Sequence, residues 1–349
     1  MPGITSKLAL MKGATWGTLP SLTTGHRAPF TSSTLQRSFA TVEDNSLLGK
    51  STRAIGANGS ANIGGQLAWL RDYRQRQHLL VAAIFGGAAG VPTTVETGVY
   101  LHVLPWQANP AGLFLGGGID LGGADVHGFP SLKPVRRTIR IAGGRPHEES
   151  YEFLGGGAID KSIASSGWTY LTDPNGNGAR RIQASQTVLR VNTHAGGALD
   201  SSAVVKPASI EITEARGLAQ DFPVGQVYGE EPVPGDWSSI TVNLQFFNMT
   251  AALLALFLDN RDSDTPLKAD LIATHGTLLG ATEYRKWGMY FPKLRVLDCP
   301  TAIPGPGVIP APVTLEAHFS DVTPTGFTSG YDEEVTEIWQ NEVSTDPLA

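Results

Sequence analysis

A single cysteine, Cys299, excludes an intrachain disulfide framework and any multi-cysteine metal site. Charged residues make up 17 % of the chain, below the usual quarter. The balance is acidic, a formal −6 at pH 7, which argues against a domain that grips nucleic-acid phosphates. Apolar runs are short. None approaches a membrane span, and no apolar core of signal-peptide length follows the first seven residues. A reducing compartment such as a bacterial cytoplasm fits.

Catalytic signatures are equally scarce. None of the histidines (His26, His78, His102, His127, His147, His194, His275, His318) stands at metal-ligand spacing with another His or Cys. No Gly-x-Ser-x-Gly elbow occurs. Asp259, Asp262 and Asp264 lack the glycine and downstream glutamate of a calcium loop. Gly49-Lys50-Ser51-Thr52 looks like the end of a phosphate-binding loop, but Asp44 stands where the first glycine belongs, and a carboxylate there repels phosphate. His147-Glu148-Glu149 could support acid–base work, yet no nucleophile accompanies it. The basic cluster Arg71–Arg76 reads as a solvated loop or rim contact. The sequence thus offers no catalytic, cofactor-binding or metal-ligating residue, and the chain reads as a non-enzyme.

What the chain has is glycine and proline, 41 and 23 in 349 residues, which predicts strands joined by many turns. The length suffices for two domains. One stretch organises the rest. Ile240, Val242, Leu244 and Phe246 alternate with Thr241, Asn243 and Gln245, the period-two mark of a strand with one buried face. A short apolar helix over 249–258 follows, capped by Asn248, with Leu254 expected in the core. The same order occurs earlier: a strand over 61–69, then a helix over 78–85 ending at Gly86-Gly87. Gln66-Leu67-Ala68-Trp69 matches Asn243-Leu244-Gln245-Phe246, and Leu79-Leu80 matches Leu253-Leu254. A repeat of this length predicts a duplicated domain. Further on, Tyr290–Leu297 pairs with Phe153–Ile159, and Val313–Phe319 with Trp168–Leu171.

The expected division is an extended arm over 1–36, a first domain over 37–173, a second over 174–325, and an acidic tail over 326–349 that frays or docks on a neighbour. The junction is placed at the turn signal Asp173–Gly178. Residues 107–131, rich in glycine, read as a long loop or irregular hairpin. Residues 301–312 carry four prolines and read as a stiff connector.

Several stretches together resemble the tail tube (major tail) proteins of long, non-contractile tailed bacteriophages. They are Thr31–Arg37, Gly59–Leu67 with the 79–86 helix, Ala208–Thr213, and Trp287–Leu297 followed by Val313–Asp321. The resemblance implies a mainly β chain of two tandem β-sandwich or half-barrel domains, each with one short flanking α-helix. It implies no cofactor. It implies self-assembly into rings, three duplicated chains or six in each, that stack into a tube in the virion tail after synthesis in the bacterial host cytoplasm. Tape-measure and terminator proteins are the implied partners. DNA would cross the lumen during ejection without specific binding, so the lining is expected to be neutral or acidic. The alternatives are another phage ring or trimer protein (a tail terminator, capsid decoration or baseplate component), a carbohydrate-binding β-sandwich, and, least supported, a hydrolase.

Overall fold

The computed structural model describes residues 6–42, 57–73, 76–87, 90–122, 125–170, 181–247, 249–299 and 311–346. The Gly49–Thr52 stretch, the Asp173–Gly178 turn, the Asn248 cap and most of the proline connector lie outside the described residues. The protein is mainly β. The first set of elements is β1 (Lys7–Lys12), β2 (Arg27–Ala28), β3 (Ser32–Ser33), β4 (Gln36–Val42), β5 (Ala57–Leu70), α1 (Arg76–Phe85), β6 (Thr93–Glu96), β7 (Val99–Pro105), β8 (Leu115–Asp120), β9 (Val126–Ala142) and β10 (Glu148–Gly156). The second is β11 (Thr187–Thr193), β12 (Val204–Val205), β13 (Ser209–Ala215), β14 (Leu218–Ala219), β15 (Val233–Pro234), β16 (Ser239–Phe246), α2 (Ala251–Asp262), β17 (Leu267–Leu278), β18 (Tyr284–Asp298), β19 (Ala311–His318) and β20 (Thr336–Asn341).

Strand order repeats with residue-level register. Phe129-Pro130-Ser131-Leu132-Lys133 in β9 and Phe291-Pro292-Lys293-Leu294-Arg295 in β18 are the reference points. Leu132 faces Gly155 of β10 on one edge and Leu115 of β8 on the other. Leu294 faces Ala317 of β19 and Leu267 of β17. Both hairpins bulge at the same place, between Leu115 and Gly117 in β8 and between Leu267 and Ala269 in β17. A bulge inserts an unpaired residue and bends its strand, so coincident bulges give both hairpins the same bend. Outward from there, the first order is β2-β1-β8-β9-β10-β5 with β3 and β4 on the outer edge of β5. The second is β12-β11-β17-β18-β19-β16-β13.

These pairings place Leu67 (opposite Tyr151) and Leu244 (opposite Val313) at equivalent points, as the sequence match has them. Two other matches need correcting. The counterpart of Tyr290–Leu297 is Gly128–Val135, not Phe153–Ile159. The counterpart of Val313–Phe319 is Tyr151–Gly157, not Trp168–Leu171. In both cases apolar alternation was aligned one hairpin arm out of step.

Further expectations are revised by burial. Within the supposed arm, Leu8, Ala9 and Leu10 of β1 are buried, because β1 pairs with β8 as β11 pairs with β17. Of the two readings of the glycine-rich 107–131 segment the irregular hairpin holds: Leu115–Asp120 is a fully buried strand that pairs antiparallel with β9 through a bulge. A Cβ on Gly118 would lie 2.5 Å from Trp168, so its glycine serves close packing. The acidic tail contains β20, buried at every position, which pairs with β7 on one edge and β18 on the other.

Both helices lie where the pattern puts them. α1 is buried from Leu79 to Phe85. Its last carbonyls are covered by a basic side chain from the second set: Arg216 Nε donates to Ile84 O at 2.5 Å and Nη1 donates to Gln107 O. α2 is capped by Thr250, whose hydroxyl accepts from Leu253 N–H. Phe257, not Leu254, is its buried residue, with its ring 6.1 Å from that of Phe246.

Removal of residues 1–12 is therefore expected to abolish cooperative unfolding, because β1 completes the core. Thermal melting followed by circular dichroism checks this. A normal melt from the truncated chain would return residues 1–36 to the status of an arm.

Candidate functional site

The two sets join edge to edge. The C-terminal half of β9, from Arg136 to Ala142, pairs with β13. One sheet thus runs β4-β5-β10-β9-β13-β16-β19-β18. Strand alternation gives it two different faces.

On the inner face, beside the junction, five charged side chains meet out of water. Arg71 follows β5, Arg137 is on β9, Glu149 on β10, Glu214 on β13 and Glu337 on β20, each with a side chain 0 % exposed. Arg137 Nε donates to Glu149 at 2.6 Å, and its Nη1 donates to Glu337 at 2.6 Å and to Glu214 at 3.1 Å. Arg71 Nη2 donates to Glu337 at 2.7 Å. Indole N–H groups satisfy further carboxylate lone pairs: Trp69 donates to Glu149 at 2.9 Å and Trp287 to Glu337 at 2.7 Å. The Arg71 guanidinium also lies over the Trp287 ring, 4.2 Å from its centroid.

Sequence reading took Arg71 for a solvated residue. It is buried, with Asp72 beside it, because the chain leaving β5 runs between two other segments: Arg71 N–H donates to His147 O at 2.9 Å and Arg71 O accepts from Ile182 N–H at 3.0 Å. The acid–base suspicion at 147–149 resolves the same way. Glu149 is bound into the cluster, and His147 Nε2 lies 2.8 Å from Thr187 Oγ1. Burial, then Arg71, holds the His147 imidazole well below its usual range. No solvent reaches the charged groups, so a dissolved substrate does not either.

The charges respond unequally to burial. Burial raises the Glu337 carboxyl, but Arg137 and Arg71 outweigh it and hold its pKa below the ordinary value. The Glu214 carboxyl is pushed up to about 7, chiefly by burial, with Arg137 opposing and Glu337 adding. The contrast follows from the number of cationic partners: two for Glu337, one for Glu214.

The outer face is wet. One row crosses seven strands as Ala68, Ser150, Thr138, Thr213, Thr241, Glu316 and Arg295. The next runs Glu148, Arg140, Glu211, Asn243, Thr314 and Asp298. Arg140 Nε donates to Glu211 at 2.6 Å, and Thr314 Oγ1 to Asn243 at 3.0 Å. Arg136, Arg140, Lys293 and Arg295 are interleaved with Glu148, Glu152, Glu211, Glu316 and Asp298, so carboxylates hold the majority. The expected polar positions Thr241, Asn243 and Gln245 all lie on this face, half-buried. Among the described residues, no group of three His, Cys, Asp or Glu is placed to hold a metal ion. No helix among them is long and apolar enough to cross a membrane.

Two substitutions separate the roles in the cluster. Arg137→Ala leaves carboxylates uncompensated and is expected to cost about 3–5 kcal/mol. Glu214 binds a proton in the folded state that the unfolded chain releases near pH 4.5. The stability its neutral form contributes is therefore lost as pH rises from about 4.5 to about 7. Glu214→Gln is expected to flatten that decline while keeping the fold. Urea titrations at pH 5 and pH 8 check both, and an unchanged pH dependence in Glu214→Gln would count against the assignment.

No family model and no curated protein matches the chain, so the reading of this face rests on its own residues, registers and charges.

Proposed function

We propose that the chain is a structural virion protein of the tail tube kind, assembling head to tail into rings that stack around a lumen. The observation that carries this reading is the eight-strand sheet. One of its faces is wet and weakly acidic, and the outer edge of β4 and the end of β18 have no strand partner among the described residues. Exposed edges of this kind recruit strands from other chains. A head-to-tail contact repeated about an axis closes into a ring. Two sandwich-like domains per chain would make a three-chain ring pseudo-sixfold, with six chains as the alternative.

The outer face would line the bore. Duplex DNA carries one negative charge per about 1.7 Å of axis, so a basic wall would hold it. A face in which paired charges alternate with Ser, Thr and Asn offers DNA no net attraction, which suits passage. Tape-measure and terminator proteins would be its neighbours in the virion tail.

The carbohydrate-binding alternative draws little support. Trp69, Trp106, Trp168, Trp287 and Trp339 are buried and Trp16 is half-buried; Trp237, at 93 % exposure, is the one that stands fully open to solvent. Other phage ring proteins remain the competing assignment, because they share edge pairing but stop at one ring.

Negative-stain electron microscopy of the purified chain decides between them. Hollow tubes of stacked rings are expected. Single finite rings would favour a terminator or baseplate role, and a monomer at all concentrations would overturn the assembly reading. DNA retention by the purified protein at physiological salt is expected to be undetectable.

A further inference from the structure

We propose that a second copy of this chain docks along the free edge of β4, against the end of β18, in the register that β9 and β13 already display within one chain. This deepens the head-to-tail assembly proposed above and rests on it, by naming the partner surface and its alignment.

The argument is the internal repeat. β9 and β18 are equivalent strands, and so are the β3–β4 segment and β13: Ser32 faces Ala68 as Ser209 faces Gln245. Within the chain, Arg136 and Arg137 at the end of β9 face Ala215 and Glu214 of β13. Just before them, Arg216 N–H donates to Val135 O at 2.9 Å. In the second set the corresponding end of β18 is Leu297, Asp298 and Cys299. Its edge beyond Leu294 has no strand partner among the described residues. The positions that would meet it are Phe39, Ser38 and Arg37, on a strand that, among the described residues, pairs with β5 alone. One half-junction thus stands open at each end of the same chain, and each fits the other.

Burial agrees. Alternate residues of β13 are buried, whereas Gln36 to Ala40 of β4 are all exposed. Leu297 is 44 % exposed and Phe39 is 38 % exposed, and the register sets these two directly opposite each other. α2 points the same way. Its partner α1 is fully buried where Arg216 reaches it, while Leu253, Leu254, Leu256 and Leu258 of α2 stay half-buried. Phe39 of the second copy takes the place of Arg216, bringing an apolar side chain to that uncovered helix.

The two junctions differ in one respect. Only the one within the chain is crossed by β20 and carries the buried ion cluster; Glu214 is replaced by Arg37 and Arg137 by Cys299. The junction between chains is the one at which the assembly parts.

The test is a disulfide. Asp298 and Ser38 stand where Arg136 and Ala215 form a close, non-hydrogen-bonded pair, the spacing that suits a cross-strand bridge. Ser38→Cys with Asp298→Cys, in a Cys299→Ser background, is expected to give a ladder of covalent multimers on a non-reducing gel after mild oxidation. Gln36→Cys with Asp298→Cys, two residues out of register, is expected to give none. The reduced variants should melt with the parent, since both sites are exposed. Rings or tubes by microscopy without the ladder would overturn the register and leave the assembly reading standing. A ladder without rings or tubes would keep the register and sink the tube. A fast-migrating monomer, from a bond within one chain, would overturn the proposal, because seven strand spacings of about 4.8 Å separate the two positions.

Discussion

The arrangement depends on two guanidinium groups holding three carboxylates out of water. Each member comes from a different segment: the exit of β5, then β9, β10, β13 and β20. A buried ion is tolerable only when its partners are all in place, since the desolvation of even one unpaired charge costs several kcal/mol. The cluster therefore makes the joining of the two halves conditional. Shift β13 against β9 by one residue and Glu214 moves to the outer face, leaving Arg137 short of a partner. Apolar packing alone would accept several registers; this cluster accepts one. Aromatic rings close it in, with Trp69 and Trp287 donating N–H bonds and Trp287 also stacking on Arg71.

From that junction the sheet inherits its continuity, and from continuity its outer face. A run of hydroxyl side chains, Ser150, Thr138, Thr213 and Thr241, crosses four strands without interruption because β9 and β13 meet in register. The same geometry leaves β4 and the end of β18 each with one edge unpartnered among the described residues. A chain that completes one junction internally and, on the proposed docking, presents both halves of another externally has a direction, and a polymer built that way would be directional.

How much of this was legible in the sequence follows from the range of each interaction. Alternation in Ile240–Phe246 and the match of Leu67 to Leu244 are local patterns, and both survive. Helix α1 was found because seven successive apolar residues admit few other readings. Glu337 was unreadable. In an acidic, C-terminal context it looks solvated, and only the arrival of Arg71 and Arg137 makes it a core residue. Arg71 failed for the same reason: a cluster of arginines signals water unless the distant carboxylates are known. The glycines at 116–118 and 128 leave a loop and an irregular hairpin both open, because glycine is usually read as conformational freedom. Here it makes space, since a Cβ on Gly128 would meet Leu19 at 2.6 Å. The Phe-Pro-x-Leu correspondence between β9 and β18 is legible in the sequence, but alternation, common to every strand here, masks it.

β20 carries a consequence for the order of events on the ribosome. It lies between β7 and β18, and Val335 O accepts from Trp106 N–H at 2.9 Å, tying early chain to late. β7 therefore waits through the synthesis of the entire second set of strands before one of its edges is filled. During that interval the nascent chain lacks Glu337, and Arg71 and Arg137 lack their shared anion. A polypeptide in that condition has no settled sheet to offer a neighbour. On the assembly proposed above, premature pairing of incomplete molecules would be discouraged by the position of these six residues in the translation sequence.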